Sequence, residues 1–197
     1  MKNNEYQLHD KYFPKIENSL SFGKTCNFCR DCFNFIGDDI VWGNGLHNAK
    51  IMVVGKNSAG ASEGERLWRG SRLTLIPFTN KKSGAKIRIL LSRAGVNPDE
   101  VFFTNTVKCN TGRDRYRLNF NKLAPICIRH LLEEIRIVKP TIIICLGKEA
   151  FNVVFHKVEK SDVYKVKYLE HPAYVEGMER ESKYVENIKE KTFTLFH

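Results

Sequence analysis

Three cysteines stand at intervals of three in the run CNFCRDC, Cys26 to Cys32, in a chain with only six. Thiols at this spacing can grip a metal from one loop, and the ion or cluster then needs further thiolates from elsewhere in the chain. A disulfide knot is the other chemistry open to them. The N-terminus MKNNEYQLHDKYFPK lacks the apolar block of a signal peptide, and no apolar run approaches the roughly 18 residues of a membrane span. The expectation is a cytoplasmic, reducing compartment with no membrane partner, where structural disulfides are rare and metal binding is favoured. Four thiolates would suit an iron–sulfur cluster or tetrahedral zinc alike. Cys145, inside the apolar run TIIIC, reads instead as a small buried hydrophobe.

A second set of chemically able residues follows short apolar runs. The runs are Ala49–Gly55, Val101–Asn105, Thr141–Gly147 and the weaker, alternating Val163–Leu169. The first three are β-branched and uninterrupted, as strands buried on both faces are. After them come GKNSAG, TNTVKC, LGK and EHPAY. Helical spacing of apolar residues marks Ala85–Gly95, Phe120–Val138 and Lys148–Phe155, with a final helix over Glu181–Lys191. Strand and helix alternate, so the expected fold is a three-layer α/β/α sandwich around a central, mostly parallel four-stranded sheet. Residues 1–25 read as an arm, and 26–197 as one domain carrying the metal cluster. Ligands of such sheets sit beyond the carboxyl ends of the strands, where three of these four runs present polar groups.

Charge narrows the partner. Thirty-two Lys and Arg against 22 Asp and Glu give a net +10, with an isoelectric point near 9.3. A basic surface of this size suits a polyanion, and nucleic acid is the commonest one. Arg113, Arg115 and Arg117 in TGRDRYRLNF, with Lys81, Lys82 and Lys86 after IPF, are the basic runs placed to track phosphates. Each could equally be a solvated face.

Taken in order, CxxC, the strand ending GKNSAG, IPF, the strand ending TNTVKC, a further Cys in a helix, LG and finally HPAY resemble the uracil-DNA glycosylase superfamily. The likeness is strongest to its iron–sulfur branch, families four and five, and covers about Cys26 to Val175. It implies a monomeric, monofunctional hydrolase of base excision repair. Such an enzyme flips uracil, or a related deaminated or modified base, out of DNA and cuts its N-glycosidic bond to leave an abasic site. It also implies the missing half of the metal site. Cys109 and Cys127 match the family's later two ligands, joining Cys29 and either Cys26 or Cys32 around a 4Fe–4S cluster, with zinc the lesser alternative.

Roles carry over position by position. Phe78 matches the phenylalanine that stacks on the base. Asn105 matches the asparagine whose amide reads O4 and N3–H of uracil. His171 matches the histidine that donates to O2 as negative charge collects there. Tyr174 and Val175 sit where the family places the wedge that fills the vacated stack. The first motif departs from the pattern. Where the iron–sulfur families have GEAPG or a similar run, this chain has Gly55-Lys56-Asn57-Ser58-Ala59-Gly60. Asn57 there resembles the G-x-N-P-G motif of mismatch-specific and single-strand-selective members, in which the asparagine positions the attacking water. Gly55 and Lys56 join the substrate-binding set, with Lys56 also open to a phosphate contact. Glu63 and Glu65 lie too far along to replace the acid by alignment, although a loop shift would bring Glu63 near. The departure leaves the target base open, and leaves a non-catalytic DNA-binding module with a structural metal site as the alternative.

Overall fold

The computed structural model of the chain describes residues 41–58, 77–78, 83–110, 120–158 and 163–193. Four strands and four helices alternate through them: β1 (Ile51–Ser58), α1 (Ser83–Arg93), β2 (Val101–Asn110), α2 (Phe120–Val138), β3 (Ile142–Leu146), α3 (Lys148–Val158), β4 (Lys165–Leu169) and α4 (Met178–Thr192). The strands form one sheet in the order β2-β1-β3-β4, and every neighbouring pair is parallel. Short 3₁₀ turns, Pro98–Glu100 and Pro172–Tyr174, lead into β2 and out of β4.

Alternation along the strands builds the layers. Ile51, Val53, Val101, Phe103, Ile142 and Ile144 face one side and pack with Ile87, Leu90 and Leu91 of α1 and Tyr184, Val185 and Ile188 of α4. Met52, Val54, Phe102, Ile143 and Cys145 face the other, against Ile128, Leu131 and Ile135 of α2 and Ala150 and Val154 of α3. The expected three-layer α/β/α sandwich is the observed fold, and Cys145 is part of its core. Edge strand β4 carries its lysines, Lys165 and Lys167, on the partly exposed side of the sheet, as edge strands tend to.

Two strands run further than their apolar runs suggest. β1 continues through Lys56, Asn57 and Ser58, and β2 continues past Asn105 to Asn110. Pairing carries both: Gly55 lies opposite Asn105 and Asn57 opposite Val107, before a bulge at Asn57/Ser58. The outer edge of β2 is closed by the segment before β1. Asn44 and Phe103 exchange backbone hydrogen bonds of 2.9 and 2.8 Å, and Val41 N donates to Lys108 O at 2.8 Å.

What holds this end of β2 is a buried ion pair. Lys108 Nζ lies 2.6 Å from Glu134 Oε2 of α2, the two side chains being only 1% and 3% exposed. The same ammonium donates to Thr104 Oγ1 at 2.5 Å and to the Asn105 carbonyl at 2.8 Å. Glu134 also accepts from Thr104 Oγ1 at 2.7 Å and, through its other oxygen, from Gly43 N at 2.9 Å. Gly43 is required there, since a Cβ on it would stand 2.4 Å from the Phe102 ring and 2.9 Å from Glu134 Oε1. Burial draws the Lys108 amine below its ordinary range, and the Glu134 charge opposes that shift.

Removing one partner strands the other charge in a dry site. Glu134→Leu is therefore expected to cost about 3–5 kcal/mol in urea unfolding, and the double change with Lys108→Met less than Glu134→Leu alone. A Glu134→Leu protein as stable as the parent would show that the pair does not hold β2 to α2.

Candidate active site

At the carboxyl ends of the strands, the side chains converge from four different elements. Gly55 of β1 lies directly beside Asn105 of β2. A Cβ on Gly55 would meet Asn105 Oδ1 at 2.4 Å and Phe78 Cζ at 2.7 Å. The amide and the ring thus meet over a backbone that only glycine can supply. Asn105 is buried, 4% exposed, while Phe78 is half-buried.

Phe78 is held from behind. Its backbone takes φ 59°, an uncommon conformation for a side-chain-bearing residue. Gly84, in the first turn of α1, sits so close that a Cβ there would come 2.5 Å from the Phe78 carbonyl. Arg88, one helical turn on, donates from Nε to that carbonyl at 3.3 Å and lays its guanidinium 3.9 Å over the Phe103 ring. Phe103 in turn packs against Phe78, with centroids 5.8 Å apart. Burial lowers the Arg88 pKa to about 10, with Asp99 opposing, and its buried Nη2 has no hydrogen-bond partner among the described residues.

On the other side of the site stand β1, β3 and β4. His171 follows β4 and caps the Pro172–Tyr174 turn, its Nδ1 accepting from Ala173 N at 3.3 Å. An Nδ1 that accepts carries no proton, so the neutral ring keeps its hydrogen on Nε2 and can donate from there. Desolvation lowers the His171 pKa from its ordinary value, and the Glu149 carboxylate pulls it back up. Glu149, second residue of α3, meets Lys56 of β1: Lys56 Nζ lies 3.0 Å from its Oε1 and 5.1 Å from the Phe120 ring centroid. A backbone hydrogen bond at the helix start, then Lys56, then His171 hold Glu149 below the usual carboxylate range.

Of the residues expected from the sequence, Gly55, Phe78 and Asn105 are brought into contact, Lys56 and His171 flank Glu149, and Asn57 lies one residue further along β1. Tyr174 is 67% exposed and its ring is 6.0 Å from that of His171. Val175, expected beside it in a wedge, is corrected: it is 1% exposed and packs in the core with α1 and α4. The tight turn at Pro172–Tyr174 swings consecutive side chains to opposite sides. Lys86 is corrected too. Its ammonium donates to the Val175 carbonyl and pairs with Glu181 at 3.2 Å, so it braces α1 to α4 instead of facing outward.

Cys127 is 2% exposed in α2, beside Val107, Leu123 and Ala124. Cys109 lies in β2, which packs against that helix. Cys26, Cys29, Cys32, Lys81, Lys82, Arg113, Arg115, Arg117, Glu63 and Glu65 lie outside the described residues, and among the described residues no three His, Cys, Asp or Glu gather as a metal site. Glu149, Arg88 and the Lys108–Glu134 pair are the residues sequence reasoning missed. Glu149 alone had a signal, as the first acid after a strand end.

With this geometry in view, the sequence model of the Uracil DNA glycosylase superfamily matches residues 42–192. The chain belongs to the uracil DNA glycosylase superfamily. Among curated members it is 35% identical over 124 residues to the Type-4 uracil-DNA glycosylase of Pyrobaculum aerophilum, covering 63% of this chain and 56% of that one. It is 29% identical over 127 residues to the Type-4 enzyme of Sulfurisphaera tokodaii, covering 64% and 53%. It is 28% identical over 144 residues to that of Thermotoga maritima, covering 73% and 67%. The matches thus span little more than half the length of the first two relatives. A solution NMR structure from Methanosarcina acetivorans, described as a candidate uracil DNA glycosylase, covers 77% of this chain and 96% of its own at 13% identity, with a TM-score of 0.42.

The electrostatics of this superfamily member predict a titration. In NMR, His171 should titrate below 6.5 and show the Nε2–H tautomer when neutral. Glu149→Gln should lower its pKa further, because the carboxylate favours the charged ring. A His171 titrating above that value, or protonated on Nδ1 when neutral, would contradict the arrangement.

Proposed function

We propose that this chain is a monofunctional DNA glycosylase that hydrolyses the N-glycosidic bond of uracil, or a closely related deaminated base, flipped out of DNA. The observation that carries the reading is the meeting of Phe78 and Asn105 over Gly55. It joins a flat apolar surface to a fixed amide edge, the two features a pocket for one extruded pyrimidine needs. Phe78 stacks on the base. Asn105 donates to O4 and accepts from N3–H, a pattern that cytosine reverses. Burial of the amide sharpens the choice, since a wrong base leaves it unpaired in a dry site.

Bond cleavage sends an electron pair onto the base. His171 answers with Nε2–H toward O2, and its lowered pKa keeps the ring neutral, as a hydrogen-bond donor requires here. Asn57, on the extended end of β1, positions the attacking water, while the Gly55 backbone and Lys56 border the substrate at the same strand end. Tyr174, large and exposed beside His171, fills the space left in the stack. Lys81, Lys82, Arg113 and Arg115 contact DNA phosphates, so binding weakens steeply with salt. The enzyme acts as a monomer inside the cell, on the genome.

Two of Cys26, Cys29 and Cys32, together with Cys109 and Cys127, hold a 4Fe–4S cluster in preference to zinc. The fit rests on Cys127: a buried thiol on the helix packed against the strand that carries Cys109 is the donor such a site needs. When bound, the cluster ties the N-terminal segment to the loop after β2 and stiffens the DNA-facing surface. A visible absorbance band that Cys127→Ala abolishes supports this, and a colourless, zinc-containing protein refutes it.

A panel of oligonucleotides, each carrying one deaminated base and treated with alkali after incubation, tests the activity. Strand breaks at uracil are expected, falling about 10²–10³-fold with His171→Ala, the loss seen when one oxyanion donor is removed. Asn105→Asp should weaken uracil release and favour cytosine. No breaks with any base in the panel would overturn the proposal.

A further inference from the structure

Positive charge builds on the sugar as a glycosidic bond breaks, and a site for that chemistry gains from a carboxylate nearby. At the first motif this chain offers the opposite charge, Lys56. The fold supplies an answer after the neighbouring strand, β3. β3 lies between β1 and β4 in the sheet, so whatever follows β3 falls between Lys56 and His171. Gly147 turns the chain there at φ 90°, and α3 opens with Glu149 in its first turn.

The carboxylate spans the gap. Its Oε1 takes the Lys56 ammonium at 3.0 Å. Its Oε2 comes within 3.8 Å of the point a Gly147 Cβ would occupy, and His171 Cβ lies at the same distance from that point. The two side chains of the pair are 40% and 56% exposed, so the pair contributes little to stability. It stands open at the carboxyl end of the sheet, between Lys56 at the end of β1 and His171 after β4. The first turn of the helix and Lys56 both favour the ionised form.

We propose that Glu149 supplies the carboxylate that the first motif of this chain lacks, facing the sugar of the flipped nucleotide, with Lys56 as the residue that positions it. The assignment rests on the glycosylase reading of the site. The C1′–N1 bond breaks with its electron pair leaving on the base, whose O2 accepts from His171 Nε2–H. The ionised carboxylate lies against the cationic sugar. Water oxygen then bonds to C1′ and gives its proton to Glu149, which releases it to solvent, and the departing base anion takes up a proton from solvent. Lys56, balanced by Glu149, does not oppose the charge on the sugar.

Two measurements on the full chain test this. The first is binding to DNA in which a cationic pyrrolidine, or a neutral tetrahydrofuran, replaces one deoxyribose. The parent is expected to prefer the cation by about tenfold, the worth of one close opposite charge at a partly exposed site. Glu149→Gln should lose that preference, and Lys56→Glu added to it, which restores a carboxylate at the first motif, should regain it. A parent without the preference, or a Glu149→Gln protein that keeps it, overturns the assignment, whether or not any base is released. The second is single-turnover base release, expected to fall about 10²-fold with Glu149→Gln and to recover in part with Lys56→Glu/Glu149→Gln, as for a lost and returned acid–base group. No recovery there means that Glu149 serves only to hold Lys56. A parent that releases no base sinks the glycosylase reading itself, while the binding comparison still decides on Glu149.

Discussion

Lys108 and Glu134 are charges in a place that water does not reach, and each is tolerable there only because of the other. Their 2.6 Å contact ties the far half of β2 to α2, and the chain is committed to it from three directions. Thr104 and Asn105 bind the ammonium from within β2. Gly43 binds the carboxylate from the segment that covers the edge of the sheet. An apolar pair would pack the same space more cheaply, but it would leave the Asn105 carbonyl, the Gly43 amide and the Thr104 hydroxyl without these partners. The pair therefore sets where β2 stops being mere scaffold: one residue of its network, Asn105, turns its side chain into the site.

The second constraint is distance between backbones. Where β1 and β2 run side by side, Gly55 lets the Asn105 amide and the Phe78 ring come closer than any side chain would permit. Gly84 does the same for the Phe78 carbonyl against α1. Phe78 is consequently fixed at both its ring and its backbone, with Arg88 closing the third side. As the stacking surface proposed above, a ring held this way needs little reorganisation when a flat ligand arrives, which favours affinity. The cost is local: a positive φ at Phe78 and a buried guanidinium with one nitrogen that finds no hydrogen-bond partner among the described residues. Departures from comfortable geometry gathered around one residue are in keeping with the role proposed for Phe78.

The layers of this fold were legible in the sequence because apolar β-branched runs between helical periodicities admit few arrangements. Ile142 to Leu146 is buried along its whole length and reads so from composition alone. Strand ends were less legible. β1 and β2 outrun their apolar cores because a parallel partner holds the extra residues, and pairing is not visible in either segment separately. Lys108 carries no signal of its own in TNTVKC, because its burial depends on Glu134, 26 residues on. Val175 looked equivalent to Tyr174, but a 3₁₀ turn separates neighbours that a strand or loop pattern would leave together. The meeting of Lys56 and Glu149, 93 residues apart, follows from strand order, which the motifs leave open.

Charge at the site and charge of the chain obey different demands. For the DNA glycosylase proposed above, a net +10 draws the protein to its polyanionic substrate at long range, and any surface cation helps. Within the proposed pocket the requirement reverses at one spot, the sugar, where a nearby cation raises the barrier and an anion lowers it. Lys56 therefore cannot stand there unopposed. The partner that opposes it, Glu149, opens α3 directly after β3, which like β1 is an inner strand paired on both sides. His171 benefits from the same carboxylate, which limits how far desolvation can depress its ring. On the proposed assignment, a lysine in place of an acid at the first motif is thus not a loss of one charge but a relocation of the negative charge to the next strand end, with the lysine serving to anchor it.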